Sequence, residues 1–368
     1  MLPRGVVSLC GFCLIAALAP GQGPAVPQSA DEESSVAQSQ AAKRVDGHLV
    51  RTGVVNSPTE MLTTFMRPLR CDAAGNFYLQ TDASNPAIRK INPKGERIAL
   101  FRPAANPTLK IDAAAGFTLA PDGQLYELVS PHEVKRYVFV YKPDGTFKEA
   151  IKLEPGFAWT THALAVFPTG QILVAGSEFD RDPMAASWPF TGIFAADGRL
   201  LKELKLDDDN TLRDMAVSGD PRVSSPTIPN ANHAVSFTQM ETASDGNIYL
   251  MRWTNPAIVY AVSAGAEVVR RMTIDPGGDG YRPVEIHASQ NRIAVLFYDE
   301  QTKDRIMKVV DLQGHEIATY DERRDNNGKS IDGMLGLGFA CYTENPTRFV
   351  FLGSSNEDRL QLWTAEPH

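Results

Sequence analysis

Apolar and polar positions alternate along most of this chain in short blocks, and the blocks are broken at intervals by one kind of turn. "DAAGNFYLQ" at 72–80 returns as "APDGQLYEL" at 120, "FPTGQILVA" at 167 and "ASDGNIYLM" at 243. A glycine turn between runs of period two predicts a β-hairpin. With Gly75, Gly123, Gly170, Gly246, Asn291 and Asn345 in register, the spacings are 48, 47, 76, 45 and 54 residues. A period in the forties is the signature of a radial array of small sheets.

The strand before each turn carries bulky residues six and four positions upstream: Leu69 and Cys71, Phe117 and Leu119, Leu164 and Val166, Phe339 and Cys341. Small residues lie between or beside them, as at Gly116, Ala163 and Gly338. One bulky and one small face suit an innermost strand, where sheets crowd around an axis. About twenty residues after each first turn comes a second: "NPKGER", "KPDGTF", "AADGRL", "SAGAEV" and "DLQGHE". Two hairpins per repeat give four strands.

The last repeat stops after its third strand, "RLQLWTAEPH". "GHLVRTGVV" at 47–55 precedes the first repeat and has no other place in the array. It is therefore expected to pair beside "LQLW" and close the ring, removing exposed sheet edges. On these motifs the chain resembles the six-bladed propellers of the NHL-repeat and TolB-like superfamily, with "D-x-x-G-N-x-Y" in the first hairpin and "P-x-G" in the second. The fold expected is all-β, a six-bladed β-propeller of four-stranded antiparallel blades over 46–368. That superfamily spans lactonases, lyases and binding modules, so the resemblance fixes no activity.

Composition adds the setting. The chain has 368 residues, 43% apolar and 22% charged, with a net charge of -8. An acidic balance and the lack of a basic cluster argue against a nucleic-acid partner, whose phosphates are neutralised by Lys and Arg. Arg4, the apolar run Val6 to Leu18 and the small residues Ala17 and Ala19 read as a secretory signal over 1–19. The run is shorter than the ~20 residues of a membrane-crossing helix, so no transmembrane segment is expected in the mature chain. Residues 20–45, rich in Pro, Ser, Gln and Ala, read as a disordered linker. The expected location is secreted or periplasmic. Cys71 and Cys341, the two cysteines left after the signal, hold matching positions in the first and last inner strands and are expected as buried free thiols.

Antiparallel strands place every tight turn on one side of the disc and the longer connections on the other. The longer connections carry a candidate binding rim: Trp159, Trp188, Trp253, His132, Arg181 and Tyr281. Trp, Tyr and Arg dominate recognition sites, and function tends to sit on loops over a rigid scaffold. The bland reading of the same residues is that each covers the end of its own sheet.

Near the axis, Arg70, Glu241 and Glu285 stand where inner strands should be small or apolar. Buried charges need pairing or water, so a channel with Arg70 between carboxylates is the structural reading. The sharper reading joins Glu241 and Glu285 to His162 and His233 as a site for a divalent metal, calcium or zinc. "DDDN" at 207 and "DNNGKSID" at 325 lack the glycine and terminal glutamate of a calcium loop and read as solvated acidic loops. No G-x-S-x-G, H-E-x-x-H or P-loop signature occurs. The expected function is recognition of a protein or small ligand through the long-loop face, with no cofactor. The alternative is a lactonase-like metal-dependent hydrolase or lyase in the axial channel.

Overall fold

The computed structural model describes residues 45–61, 66–80, 87–103, 109, 111–131, 136–178, 188–211, 238–299, 301–326, 330–331, 333–335 and 337–368. A long first strand, β1 (Val45–Met61), precedes a series of antiparallel meanders. Four of these are separate four-stranded sheets. They are β2–β5 (Met66–Cys71, Phe77–Gln80, Ile88–Ile91, Arg97–Phe101), β6–β9 (Ile111–Leu119, Leu125–Pro131, Arg136–Tyr141, Phe147–Leu153), β10–β13 (Trp159–Val166, Ile172–Glu178, Trp188–Phe194, Leu200–Glu203) and β14–β17 (Thr238–Thr242, Ile248–Arg252, Ala257–Val262, Val268–Ile274). Next come β18–β21 (Tyr281–Ala288, Arg292–Asp299, Arg305–Asp311, Glu316–Glu322) and β22–β24 (Gly338–Thr343, Arg348–Ser354, Arg359–Pro367). These last two runs join through β1 into one eight-stranded sheet, ordered β18-β19-β20-β21-β1-β24-β23-β22.

The inner strands follow one another around an axis as β2, β6, β10, β14, β18 and β22, and β22 returns against β2. The fold is thus a β-propeller with four-stranded antiparallel blades. Second and third strands are buried on both faces, as in Ile248–Arg252, and so read as nearly continuous apolar runs. Outer strands such as Val268–Ile274 alternate buried and exposed residues.

The core lies in layers between successive sheets, not at one centre. Leu128, Leu153, Trp159, Leu164 and Phe190 form one layer, between β6–β9 and β10–β13. Leu69, Phe77, Cys341, Leu352 and Leu362 form the layer where the two ends of the meander series meet.

The hairpin turns are built as their residues predict. Asp72 Oδ1 accepts from the backbone N–H of Ala74 (3.1 Å) and Asn76 (2.9 Å), while Gly75 sits at φ +76. Three second-hairpin glycines, Gly145, Gly198 and Gly314, have another duty, because each abuts the outer strand of the sheet before it. A Cβ on Gly145 would lie 2.7 Å from the Leu100 carbonyl of β5, and one on Gly198 would run into the Lys152 carbonyl of β9. In the first sheet the neighbour of Gly95 is Ser57 of β1, whose Cα would lie 2.8 Å from such a Cβ. Toward β2–β5, β1 occupies the place that an outer strand holds elsewhere.

The expected pairing of 47–55 with "LQLW" is present, since β1 runs antiparallel to β24 with Val54 opposite Trp363 and Val55 opposite Leu362. Two features extend it. Val45–Leu49 also pairs parallel with Ala318–Glu322 of β21, and the far end of β1 grips the first sheet. There Ser57 Oγ donates to the Gly95 carbonyl, and Glu60 pairs with Arg89 (3.1 Å) and Arg97 (3.4 Å).

The expectation of free thiols is corrected. Cys71 and Cys341 form a disulfide with a Cα–Cα separation of 5.6 Å. Its cause is a β-bulge: Phe339 pairs with Phe351, but Cys341 pairs with Val350, the very next residue of β23. The register shift at Ala340 turns Cys341 onto the opposite face from Phe339, toward β2. Without it the two sulfurs would point the same way around the ring.

Candidate functional site

The residues singled out around the axis meet in one network. Arg70, on β2, is buried and reaches across to β14, donating from Nη2 to the Met240 carbonyl (2.6 Å) and from Nη1 to the Leu69 carbonyl (2.9 Å). Its Nε finds no hydrogen-bond partner among the described residues. Burial pulls the Arg70 pKa below its ordinary value, and the charges of Glu241 and Glu285 offset part of that shift. Glu241, on β14, accepts from the Ala288 N–H (3.0 Å) and faces His287 Nδ1 at 3.1 Å. Burial alone would raise the Glu241 pKa. The His287 ring, Arg70 and the Ala288 N–H outweigh burial and hold the carboxyl below its ordinary value. Glu285, on β18, accepts from the Phe339 N–H of β22 (2.8 Å).

His287 is the member that the sequence reading missed. It is buried, two residues after Glu285 and on the same face of β18, which is the signal that could have found it. Its Nδ1 faces the Glu241 carboxylate and its Nε2 faces the Phe339 carbonyl at 3.1 Å. Both partners are acceptors. The ring also meets Phe339 edge to face at 4.5 Å. These four side chains therefore tie β2, β14, β18 and β22 together, nearer the tight-turn ends of those strands than the loop ends.

Of the proposed metal ligands, Glu241 and Glu285 are thus already engaged by protein donors. His162, on β10, has Nε2 3.0 Å from Thr160 Oγ1. His233 lies outside the described residues. Among the described residues, no three His, Cys, Asp or Glu side chains gather into a group that could hold a metal ion.

The candidate rim divides. Trp159 is a core residue, a correction to its assignment as a surface contact: it is 3% exposed, stacks on Phe194 at 5.7 Å and meets Phe190 edge to face at 5.3 Å. The strand β10 starts at Trp159 itself, which draws the indole into the layer between sheets. Trp188 is exposed at the start of β12. Trp253 is half-buried, as is Tyr281, whose body packs on the layer containing Tyr249 and Phe297. Their connections are tied together, since Asn255 Nδ2 donates to the Gly278 carbonyl (2.8 Å). Burial raises the Tyr281 pKa, and the nearby Asp304 and Asp299 raise it further. His132 and Arg181 lie outside the described residues.

Beside Trp253 the "DDDN" segment departs from the solvated loop expected. Asp208 and Asp209 are buried against Arg252, and Asp207 pairs with Arg271 (3.1 Å) and with the Tyr260 hydroxyl. The cations come from the following sheet, so the segment joins β13 to β14–β17. Of "DNNGKSID", Asp325 is exposed and residues 327–329 and 332 lie outside the described residues.

One further buried acid has no sequence signature. Glu127, on β7, is fully buried, accepts from the Tyr141 hydroxyl (2.9 Å) and lies 3.5 Å from Gln80 Nε2. Burial pushes its carboxyl well above the ordinary value, and the Tyr141 hydrogen bond offsets only part of this.

Comparison with known proteins supports the fold. No family model matches the chain, and no curated protein is similar to it. An inferred exported protein of Bacteroides fragilis has a crystal structure that covers 88% of this chain and 99% of its own, with a TM-score of 0.53 at 10% identity. A Bacteroides caccae protein of unknown function covers 70% of this chain and 86% of its own, with a TM-score of 0.43 at 12% identity. The Pan2 WD40 domain of Neurospora crassa covers 87% of this chain and 97% of its own, with a TM-score of 0.39 at 12% identity. The architecture defines the class, a β-propeller protein with four-stranded antiparallel blades, and the first neighbour shares its overall fold. No helix among the described residues is long and apolar enough to cross a membrane.

Proposed function

We propose that the chain is an exported six-bladed propeller of the NHL-repeat and TolB-like kind that recognises a protein or small ligand through its long-loop face. Counting the eight-stranded sheet as two blades, β18–β21 and β22–β24 with β1, is supported by the position of Ser57 against Gly95, which repeats that of Leu100 against Gly145. The layout is a signal peptide over 1–19, a linker over 20–45 and the propeller over 46–368, which places the mature protein in a secreted or periplasmic setting.

The observation that carries the binding role is the difference between the two ends of the disc. At the tight-turn end the polar groups are spent within the protein: Asp72, Asn92, Asp122, Asp144, Asp197, Asp245 and Asp311 each accept from backbone N–H groups of their own turns. The Arg70, Glu241, His287 and Glu285 network ties the inner strands together nearer the same end. At the other end, Trp188, Trp253 and Tyr281 stand partly or largely open on connections of unequal length.

The test compares native protein with W188A/W253A, both immobilised, in capture of extracytoplasmic components identified by mass spectrometry. A component retained by the native protein and lost by the variant at unchanged Tm supports the reading. Equal retention by both overturns it. Metal analysis of protein purified without chelators separates the lactonase-like alternative, which requires a stoichiometric divalent ion.

A further inference from the structure

We infer that a cleft at the outer edge of the ring, beside the strand β1, is a saccharide-binding site. It lies on the last blade and shares no lining residue with Trp188, Trp253 or Tyr281, so it does not depend on the reading of those residues as a rim. Between Asn56 and Met61, β1 lifts off β24, because Asn56 pairs with Gln361 but Met61 pairs with Arg359, leaving extra residues of β1 without a partner on β24. The lifted segment and the 354–357 hairpin turn border an open cleft of about 700 Å3 above Gln361 and Trp363. That volume suits a small ligand, for which sites span roughly 300–1,000 Å3.

The walls are held before any ligand arrives. Ser57 Oγ donates to the Gly95 carbonyl and accepts from the Glu60 N–H (2.9 Å), and Glu60 is fixed by Arg89 and Arg97. On the opposite wall, Ser355 Oγ accepts from the N–H groups of Glu357 (3.2 Å) and Arg359 (3.1 Å).

The chemistry of the lining selects the ligand class. Asn56, Ser57, Ser354, Ser355, Asn356 and Gln361 are neutral hydrogen-bonding side chains, and the two charges, Glu357 and Arg359, pair with each other at 3.5 Å. An anion would need unspent positive charge, a metal ion would need several carboxylates, and an apolar peptide would need more than Pro58 and one indole. A polyol needs what is present, namely many neutral donors and acceptors around one aromatic ring.

A directed relay orients the site. Trp363 Nε1 donates to Gln361 Oε1 (3.0 Å), and Gln361 Nε2 donates to Asn56 Oδ1 (2.8 Å), which leaves Asn56 Nδ2 as a polarised donor at the end of the chain. Arg51 lies over the Trp363 ring at 4.7 Å, a cation on one face of the indole that helps hold the ring in place.

Calorimetric titration of the full mature chain with cellotetraose, chitotetraose, maltotetraose and mannotetraose at millimolar concentration tests the inference. At least one should bind, and N56A/Q361A should weaken it about tenfold or more, as expected for two lost hydrogen bonds. W363F, which keeps a ring and removes the relay's first donor, should weaken it less. W188A/W253A should leave it unchanged. No binding by any of the four overturns the site, as does binding that N56A/Q361A leaves intact. Loss of binding in W188A/W253A at unchanged Tm would place the sugar at those tryptophans instead and equally overturns it.

Discussion

The junction where the meander's ends meet and the junction between β6–β9 and β10–β13 solve the same packing problem by different means. The ordinary junction is an apolar layer, anchored by Trp159 between Phe190 and Phe194. The closing junction has its own apolar layer around Leu69, Phe77 and Leu362, but it adds the Cys71–Cys341 disulfide on the inner strands and the reach of β1 to Gly95 and Arg89 on the outer strands. Chain continuity holds neighbouring blades together everywhere else. Where continuity is missing, a covalent bond and a borrowed strand replace it, one at each radius.

The comparison breaks most severely if β1 is removed. A chain beginning after residue 61 would expose the backbone edges of β21 and β24 and the buried Leu49 site, and should be recovered as aggregate or as a species lacking cooperative unfolding in calorimetry. At the ordinary junction, W159A should cost about 3–5 kcal/mol, the usual range for an aromatic core truncation, as measured by denaturant unfolding. W188A, on an exposed residue of the same sheet, should change stability by less than about 0.5 kcal/mol. Similar costs for the two tryptophans would undo the division of the rim.

C71S/C341S sharpens the comparison from the other side. The bond closes a loop of 270 residues, so chain entropy predicts a loss of about 2–5 kcal/mol, with the ring still closed by β1. G198A, which drives a Cβ into the Lys152 carbonyl at φ +89, should destabilise the ordinary junction by about 1–3 kcal/mol.

The smallest effect concerns Glu127. The native state keeps its proton at pH values where the unfolded chain has released it. Stability is therefore lost as pH rises above the ordinary carboxyl range, and the loss levels off above the raised native value. E127Q should unfold at a slightly higher Tm than the native chain at neutral pH, with the gap closing on acidification below the ordinary carboxyl range. A gap of opposite sign would mean that Glu127 is ionised in the fold.

Much of the architecture was legible because it repeats. Gly75, Gly123, Gly170 and Gly246 mark the first turns, period two marks the strands, and the missing strand after "LQLW" pointed to β1. What escaped was set by single-residue departures from the repeat or by partners far away in sequence. The disulfide depends on the bulge at Ala340, which no pattern of apolar residues encodes. The pairing of Asp208 and Asp209 depends on Arg252, more than forty positions later. Charges on inner strands did pick out Arg70, Glu241 and Glu285. His287 was passed over because an aromatic ring fits an apolar position as readily as a polar one. Trp159 was misplaced because a tryptophan at a strand's first residue can face either loop or layer, and only the neighbouring Phe190 and Phe194 decide.

Amide hydrogen exchange along β1 tests the closure most directly. If β1 serves as an outer strand of the ring, Val50, Arg51, Val54 and Val55 should be protected to a degree comparable with their partners Glu366, Ala365, Trp363 and Leu362. Exchange of the β1 amides at the rate of an unfolded chain, with β24 still protected, would contradict the account.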